Sequence, residues 1–326
     1  MSVLELQDVE ITYSRRGLPP VRAVAGVSLA LQPGEIVGLV GESGCGKSTL
    51  ARAAAGLVAP TAGTVSFDGH CLTPLGRKAR PTSDTRLQLV FQDPYSSLNP
   101  RRKVGSQIAD ALRINKLLAP GQHRARSIDL LEKVGLPATA VDAFPHQFSG
   151  GQRQRLAIAR ALAANPKALV LDEPLSALDA SAQAQVANLL VGLCQELGIA
   201  MLLISHDLAI VRQVADRISV MYLGMLVESG ETAKLWSSPK HPYTKALIGA
   251  IPRADGEGIK PTPLPGEIPD PARPPQGCRF HPRCAHAMQK CREQQPALIN
   301  LGDARQVSCW LSQTEAQPMP SPGRDQ

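Results

Sequence analysis

The chain opens with two stretches, residues 3–13 and 21–31, in which apolar and polar side chains alternate. That is the period-two pattern of antiparallel strands with one buried face. Pro33-Gly34 then supplies a turn. The character changes at Ile36-Val37-Gly38-Leu39-Val40, an uninterrupted apolar run of strand length, as expected of a strand covered on both faces in a parallel sheet. Residues 64–69 read as a strand and turn, 70–86 as a basic, proline-containing loop, and 87–92 as a buried strand ending in a polar residue. From 93 to 165 the strand patterns stop, and helical stretches cover 104–118 and 124–134, which marks a helical insertion. Ala168-Leu169-Val170-Leu171 and residues 199–204 are again continuous apolar strands, separated by an amphipathic helix over 181–197. Residues 217–222 and 224–231 read as a hairpin. The whole predicts an α/β core carrying an antiparallel β subdomain and a helical subdomain.

At 326 residues the chain is long enough for such a core and an appendage. The net charge of +7 is compatible with nucleic acid, an anionic membrane surface or anionic ligands. The basic residues are scattered, however, and aromatics make up only 3%, so no nucleic-acid-binding motif emerges. Met1-Ser2-Val3-Leu4-Glu5 lacks the features of a secretory signal, and the apolar run Ile199-Ala200-Met201-Leu202-Leu203-Ile204 is strand-sized, far below the roughly 20 residues of a membrane span. A soluble, cytosolic chain is expected.

The chemistry concentrates at strand ends. Directly after the apolar run at 36–40 stands Gly41-Glu42-Ser43-Gly44-Cys45-Gly46-Lys47-Ser48-Thr49, followed by a helix-forming stretch. Strand, glycine-rich loop and helix is the setting that turns G-x-x-x-x-G-K-[ST] into a phosphate site. Its backbone N–H groups would line the phosphates, Lys47 would reach the β- and γ-phosphates, and Ser48 would ligate Mg²⁺. The competing reading is a plain glycine turn, which leaves the lysine and hydroxyl unexplained. The strand at 168–171 runs into Asp172-Glu173; two acids at a carboxyl end suit Mg²⁺ for Asp172 and an attacking water for Glu173. His206 ends the strand at 199–204 and is expected on the same sheet edge, in contact with a γ-phosphate. Tyr13 ends the first strand, where its ring could stack on adenine or be an ordinary edge aromatic. In Phe148-Ser149-Gly150-Gly151-Gln152, Ser149 is a good helix N-cap. Two glycines in a first helical turn cost stability and point to an anion approaching the backbone closely. Cys45 inside the phosphate loop would be open to oxidation if the helix end and Lys47 lowered its pKa.

These residues, in this order, resemble the ATP-binding subunits of ABC transporters over roughly residues 3–310. The resemblance identifies Gln92 as the Q-loop residue and a further Mg²⁺ ligand, Ser149–Gln152 as the signature, Asp172 and Glu173 as Walker B and catalytic base, Asp179 in Ser176-Ala177-Leu178-Asp179 as the D-loop, and His206 as the H-loop. It implies catalytic roles for Glu173, His206, Lys47 and Gln92, and an ATP site built from Tyr13, Gly41 to Thr49, Gln92 and His206. It also implies head-to-tail dimers in which the signature grips ATP held by the partner. The helical insertion would dock on membrane subunits. Phe91-Gln92-Asp93-Pro94-Tyr95-Ser96-Ser97-Leu98-Asn99-Pro100-Arg101 and His241-Pro242-Tyr243-Thr244-Lys245-Ala246-Leu247 are similar to segments of dipeptide, oligopeptide and nickel importers. The resemblance therefore implies an ATPase driving import, of peptides first and of nickel or another small solute as the alternative. Its partners would be two permeases, a paralogous second ATPase and, indirectly, an extracytoplasmic binding protein, at the cytoplasmic face of the plasma membrane. A soluble ABC protein acting on DNA or ribosomes is the distant alternative; this chain has one core and no sustained heptads.

The expected organisation is a nucleotide-binding domain over 1–250, a connector over 251–275 with eight prolines, a cysteine-rich appendage over 276–312, and a disordered tail over 313–326. Cys278, Cys284, Cys291 and Cys309 follow C-x5-C-x6-C-x17-C, unlike common zinc ribbons. Four thiolates suit a [4Fe–4S] cluster or Zn²⁺, or else remain free thiols. The resemblance favours the iron–sulfur cluster, and His281 and His286 read as structural.

Overall fold

The computed structural model describes all residues except 15, 18, 77–79, 94–96, 116–117, 252–263, 265, 303 and 317–326. Most of the proline-rich connector, the tyrosine of the Q-loop run and the end of the expected tail therefore lie outside the described residues.

An antiparallel sheet is built first, from β1 (Leu4–Tyr13), β2 (Val21–Leu31), β4 (Ala62–Phe67) and β5 (His70–Cys71), in the order β2-β1-β4-β5. The core sheet contains β3 (Ile36–Val40), β6 (Leu87–Val90), β7 (Ala168–Asp172), β8 (Ala200–Ser205), β9 (Arg217–Tyr222) and β10 (Met225–Glu231). Strands β9-β3-β8-β7-β6 run parallel, and β10 adds antiparallel to β9. The short β5 falls where the sequence suggests only loop.

The apolar runs are explained by the two cores they feed. Leu169 and Leu171 of β7 and Met201 and Leu203 of β8 enter one core, while Ala168, Val170, Leu202 and Ile204 enter the other. Alternate side chains of a strand point to opposite faces, so a strand buried on both sides cannot afford a polar position. One face is covered by α1 (Lys47–Ala54) and the antiparallel sheet. The other is covered by the helical insertion, with α2 (Val104–Ile114), α3 (His123–Lys133) and α4 (Gly150–Leu162), and by α5 (Ala180–Leu197) and α6 (Leu208–Val214). Ile108, Leu112, Leu130, Leu131, Leu156 and Ile158 are among the insertion's contributions to that core. Among the described residues, no helix is long and apolar enough to cross a membrane.

After β10 come α7 (Thr232–Ser237) and α8 (Pro242–Gly249), then α9 (Gln289–Glu293), a hairpin of β11 (Ile299–Gly302) and β12 (Arg305–Val307), and α10 (Trp310–Ala316). β12 pairs with β10, so the cysteine-rich segment extends the core sheet. Helix α10 runs through residues 313–316, which the sequence assigns to a disordered tail. Buried His241 caps α8, its Nδ1 accepting from the Tyr243 N–H at 3.0 Å, and burial drives its pKa down to about 3, which keeps the ring a neutral acceptor.

Gly38, in the middle of β3, lies under α6: a Cβ there would sit 2.2 Å from Val211 Cγ1 and 3.3 Å from the Ala215 Cβ. Gly38→Ala should destabilise the fold by about 1–3 kcal/mol through overpacking, read as a lowered urea midpoint at unchanged slope.

Candidate functional site

The carboxyl ends of β3, β6, β7 and β8 meet at one edge of the parallel sheet, the edge at which open α/β sheets bind ligands. The loop from Gly41 to Gly46 leaves β3 there and winds into α1. Its shape is imposed by neighbours. Gly46 has φ +107°, and a Cβ on it would lie 2.1 Å from the Ala23 carbonyl oxygen of β2; a Cβ on Gly41 would lie 2.2 Å from the Met221 carbonyl oxygen. Only glycine tolerates both the backbone angle and the approach at Gly46. The turn after β9 adds a strut, the Gly224 N–H donating to the Cys45 carbonyl at 2.8 Å.

Lys47 is only 4% exposed. Its Nζ donates to the carbonyls of Gly41 (2.8 Å) and Glu42 (2.9 Å) and lies 3.8 Å from Cys45 Sγ. The ammonium is thus held inside the loop whose amides would line the phosphates. Ser48 Oγ donates to Asp172 Oδ1 at 2.9 Å, joining two of the three residues expected at Mg²⁺. Burial, with the neighbouring Glu173 charge, pushes the Asp172 pKa up despite the Ser48 hydrogen bond and the charges of Arg52 and Lys47. A largely desolvated carboxylate beside a hydroxyl is a donor set suited to a hard cation.

The third expected ligand, Gln92, is turned to Glu173. Its Nε2 lies 3.2 Å from Glu173 Oε2 and 3.3 Å from Ser176 Oγ. The same Glu173 oxygen lies 3.2 Å from His206 Nδ1. Amide and imidazole therefore orient one carboxylate from two sides. Glu173 also has φ +48°, and its N–H is tied to the Ile204 carbonyl at 3.0 Å. A non-glycine residue held in that region is strained, and such strain collects at functional positions. Tyr13 pairs with Val21, at the start of the strand whose Ala23 presses on Gly46, and is 42% exposed.

The signature residues lie elsewhere on the surface. Ser149 caps α4: its Oγ accepts the Gln152 N–H at 3.3 Å, while Gln152 Oε1 accepts the Ser149 N–H at 2.9 Å. A Cβ on Gly151 would lie 3.0 Å from the Ala182 Cβ, tight against α5, whereas one on Gly150 would meet Leu178 Cδ2 at an ordinary 3.5 Å. Packing accounts for Gly151, leaving Gly150 as the glycine without a steric cause. Asp179 caps α5, accepting the Ala182 N–H at 2.9 Å.

Cys45 corrects the sequence reading. It is buried, and burial raises its pKa more than Lys47 lowers it, so the condition for a reactive thiolate is not met. Cys278, Cys284, Cys291 and Cys309 line one cavity of about 10 Å³ with His241, His281 and His286. Burial raises Cys278 to about 11 and pushes Cys284 and Cys309 upward. Among the described residues, no three His, Cys, Asp or Glu side chains form a metal-ligand group.

Two partners of the phosphate loop are absent from the sequence reading: Tyr243 Oη accepts the Glu42 N–H at 2.9 Å, and Arg283 forms two bonds to the Glu42 carboxylate, at 2.7 and 3.0 Å. Sequence spacing gives no signal for contacts across two hundred residues.

Residues 24–176 match the ABC transporter family and residues 227–291 the family described as oligopeptide/dipeptide transporter, C-terminal region. The dipeptide transport ATP-binding protein DppF of Haemophilus influenzae is 47% identical over 294 residues, 89% of each chain. Its Escherichia coli namesake is 44% identical over 302 residues, covering 91% of this chain and 89% of its own. Among solved structures, a bacterial ABC transporter cassette determined as a dimer superposes with TM-score 0.62 at 28% identity, covering 70% of this chain and 98% of that one. A post-hydrolysis state bound to ADP and phosphate gives TM-score 0.62 at 29% identity, with the same coverage.

In the native protein at pH 8, a thiol reagent should label exposed Cys71 rapidly and buried Cys45 at least about tenfold more slowly. Mass spectrometry of the labelled peptides reads this out, and denaturant should abolish the difference.

Proposed function

Because this chain belongs to the ABC transporter ATP-binding family, an ATPase whose hydrolysis is coupled to transport, we propose that it powers a peptide importer. The observation that carries the cargo assignment is the match of residues 227–291 to the oligopeptide/dipeptide C-terminal region, together with relatives named for dipeptide transport at 44–47% identity. Two permease subunits and a second ATPase, a paralogue of this chain, complete the assembly at the cytoplasmic membrane face. An extracytoplasmic binding protein delivers the peptide.

ATP binds with its phosphates in the amides of the loop from Gly41 to Thr49, at the amino end of α1, and Tyr13 stacks on the adenine. Lys47 meets the β- and γ-phosphates as a point charge already fixed by two carbonyls. Ser48, Asp172 and Gln92 would hold Mg²⁺, which would supply positive charge to offset that of the phosphates. Glu173 takes a proton from the attacking water as the water oxygen bonds to the γ-phosphorus and the bond to the β,γ-bridging oxygen breaks, leaving ADP and phosphate. His206 orients Glu173 and contacts the γ-phosphate. Gln92, just beyond the end of β6, steadies Glu173 through its Nε2 at 3.2 Å. Ser149, Gly150, Gly151 and Gln152 grip the γ-phosphate of ATP held by the partner ATPase, with Asp179 at the same interface, so two ATP molecules close the dimer. Closure moves the permeases and hydrolysis releases them.

For the cysteine-rich segment, four thiols line one cavity and are donors of the soft type, although among the described residues they are not gathered into a metal-ligand group. Cys278, Cys284, Cys291 and Cys309 would hold a [4Fe–4S] cluster, with Zn²⁺ the alternative. Either would cross-link residues 278–309 and bind them as thiolates.

Glu173→Gln should keep ATP binding while lowering hydrolysis by about 10²-fold or more; an unimpaired rate removes Glu173 from the base role. Affinity capture from gently solubilised membranes should recover two polytopic proteins and a second ATPase, and recovery of soluble partners alone overturns the importer assignment. Protein purified without oxygen should contain iron and sulfide near four each per chain; zinc near one supports the alternative, and metal-free protein with four titratable thiols removes both.

A further inference from the structure

Glu42, the second residue of the phosphate loop, has every polar group committed. Its N–H donates to Tyr243 Oη at 2.9 Å. Its carbonyl accepts from Lys47 Nζ at 2.9 Å. Its carboxylate receives both terminal nitrogens of Arg283, at 2.7 and 3.0 Å, in the parallel two-bond geometry that fixes a carboxylate's orientation. The residue linking the phosphate-binding lysine to the rest of the protein is thus held on its other two sides by residues 243 and 283.

Those two side chains are rigid supports. The Arg283 side chain is 3% exposed, with its guanidinium carbon 5.8 Å from the Tyr222 ring centroid and 5.9 Å from that of Phe280. Tyr243 is fully buried, its ring 4.7 Å from Tyr222 and 5.3 Å from Phe280. A second tie runs in parallel: the Arg279 guanidinium donates to the Leu223 carbonyl, and adjoining Gly224 donates to the Cys45 carbonyl at 2.8 Å. Both Arg279 and Arg283 lie in the segment Cys278–Cys284, within the region 227–291 matched to the oligopeptide/dipeptide transporter C-terminal family.

We infer that Arg283, with Tyr243, is a positioning residue of the nucleotide site, through which the C-terminal segment sets the shape of the phosphate loop and hence the affinity for ATP. The inference rests on the loop being an ATP site, which ATP binding by the unaltered protein checks separately. A buried ion pair with a purely architectural role makes a different prediction, because removing one partner would lower thermal stability and leave the nucleotide constants of the folded protein alone.

The test uses the full chain and compares Arg283→Lys, Arg283→Met, Glu42→Gln, the double variant Glu42→Gln/Arg283→Met, and Tyr243→Phe. The dissociation constant of a non-hydrolysable ATP analogue, KM and kcat for ATP, and the thermal midpoint without nucleotide are measured for each. Arg283→Met and Glu42→Gln should each weaken the analogue at least about fivefold, the lower end of typical coupling between sites. The double variant should be no worse than the worse single variant, since both remove one interaction. Tyr243→Phe, which deletes only the acceptor of the Glu42 N–H, should shift the same constant in the same direction. Unchanged analogue binding and KM with a lowered thermal midpoint would overturn the inference, as would fully additive losses in the double variant. Should Arg283→Met fail to fold, Arg283→Lys and Tyr243→Phe decide the matter by the same constants.

Discussion

Everything functional here depends on a backbone loop whose shape is held from outside. A phosphate loop binds by aiming consecutive amides at one point, and nothing within six or seven glycine-rich residues enforces that aim. In this protein the enforcement comes from the Ala23 carbonyl against Gly46, the Met221 carbonyl against Gly41, and the two residues that seize Glu42. The antiparallel sheet, the core sheet and the C-terminal segment each contribute one wall. The domain architecture is therefore a mould for a loop, and Lys47 is held inside that mould by two of the loop's own carbonyls.

The second half of the site is built on a different principle. Asp172 and Glu173 are neighbours in sequence, yet they stand in unlike surroundings, because β7 ends between them. Asp172 completes the buried strand and turns toward Ser48; Glu173 leaves the sheet in a left-handed conformation and faces Gln92 and His206. One carboxylate is largely desolvated, the other is oriented by hydrogen bonds. Separate environments at adjacent positions are how a cation ligand and a general base can share one strand end.

Much of this was legible in the sequence, because it is local. Continuous apolar runs marked the buried strands, and the glycine-lysine-serine spacing marked the phosphate loop. The acids and His206 fell at strand ends that a parallel sheet must gather at one edge. What escaped was non-local or steric. Nothing near Glu42 announces Arg283. Gly151 has a steric reason to be glycine beside any anion-binding one, since Ala182 packs against it, whereas Gly150 has no such neighbour. Cys45 looked reactive from its charged neighbours, whereas the thickness of protein over it decides its acidity the other way. The hairpin β11–β12 is too short for a periodic signal and is specified by its partner strand β10.

The pair of Glu42 and Arg283 spans 241 positions of sequence. A ribosome makes the phosphate loop early and its clamp late, at roughly 5–20 residues per second, so the loop waits on the order of ten seconds or more for its last wall. Through that interval the Glu42 carboxylate lacks the partner that holds it in the finished protein. If Arg283 sets the shape of the loop as inferred, full affinity for ATP would come only once residues 278–284 have been made and docked.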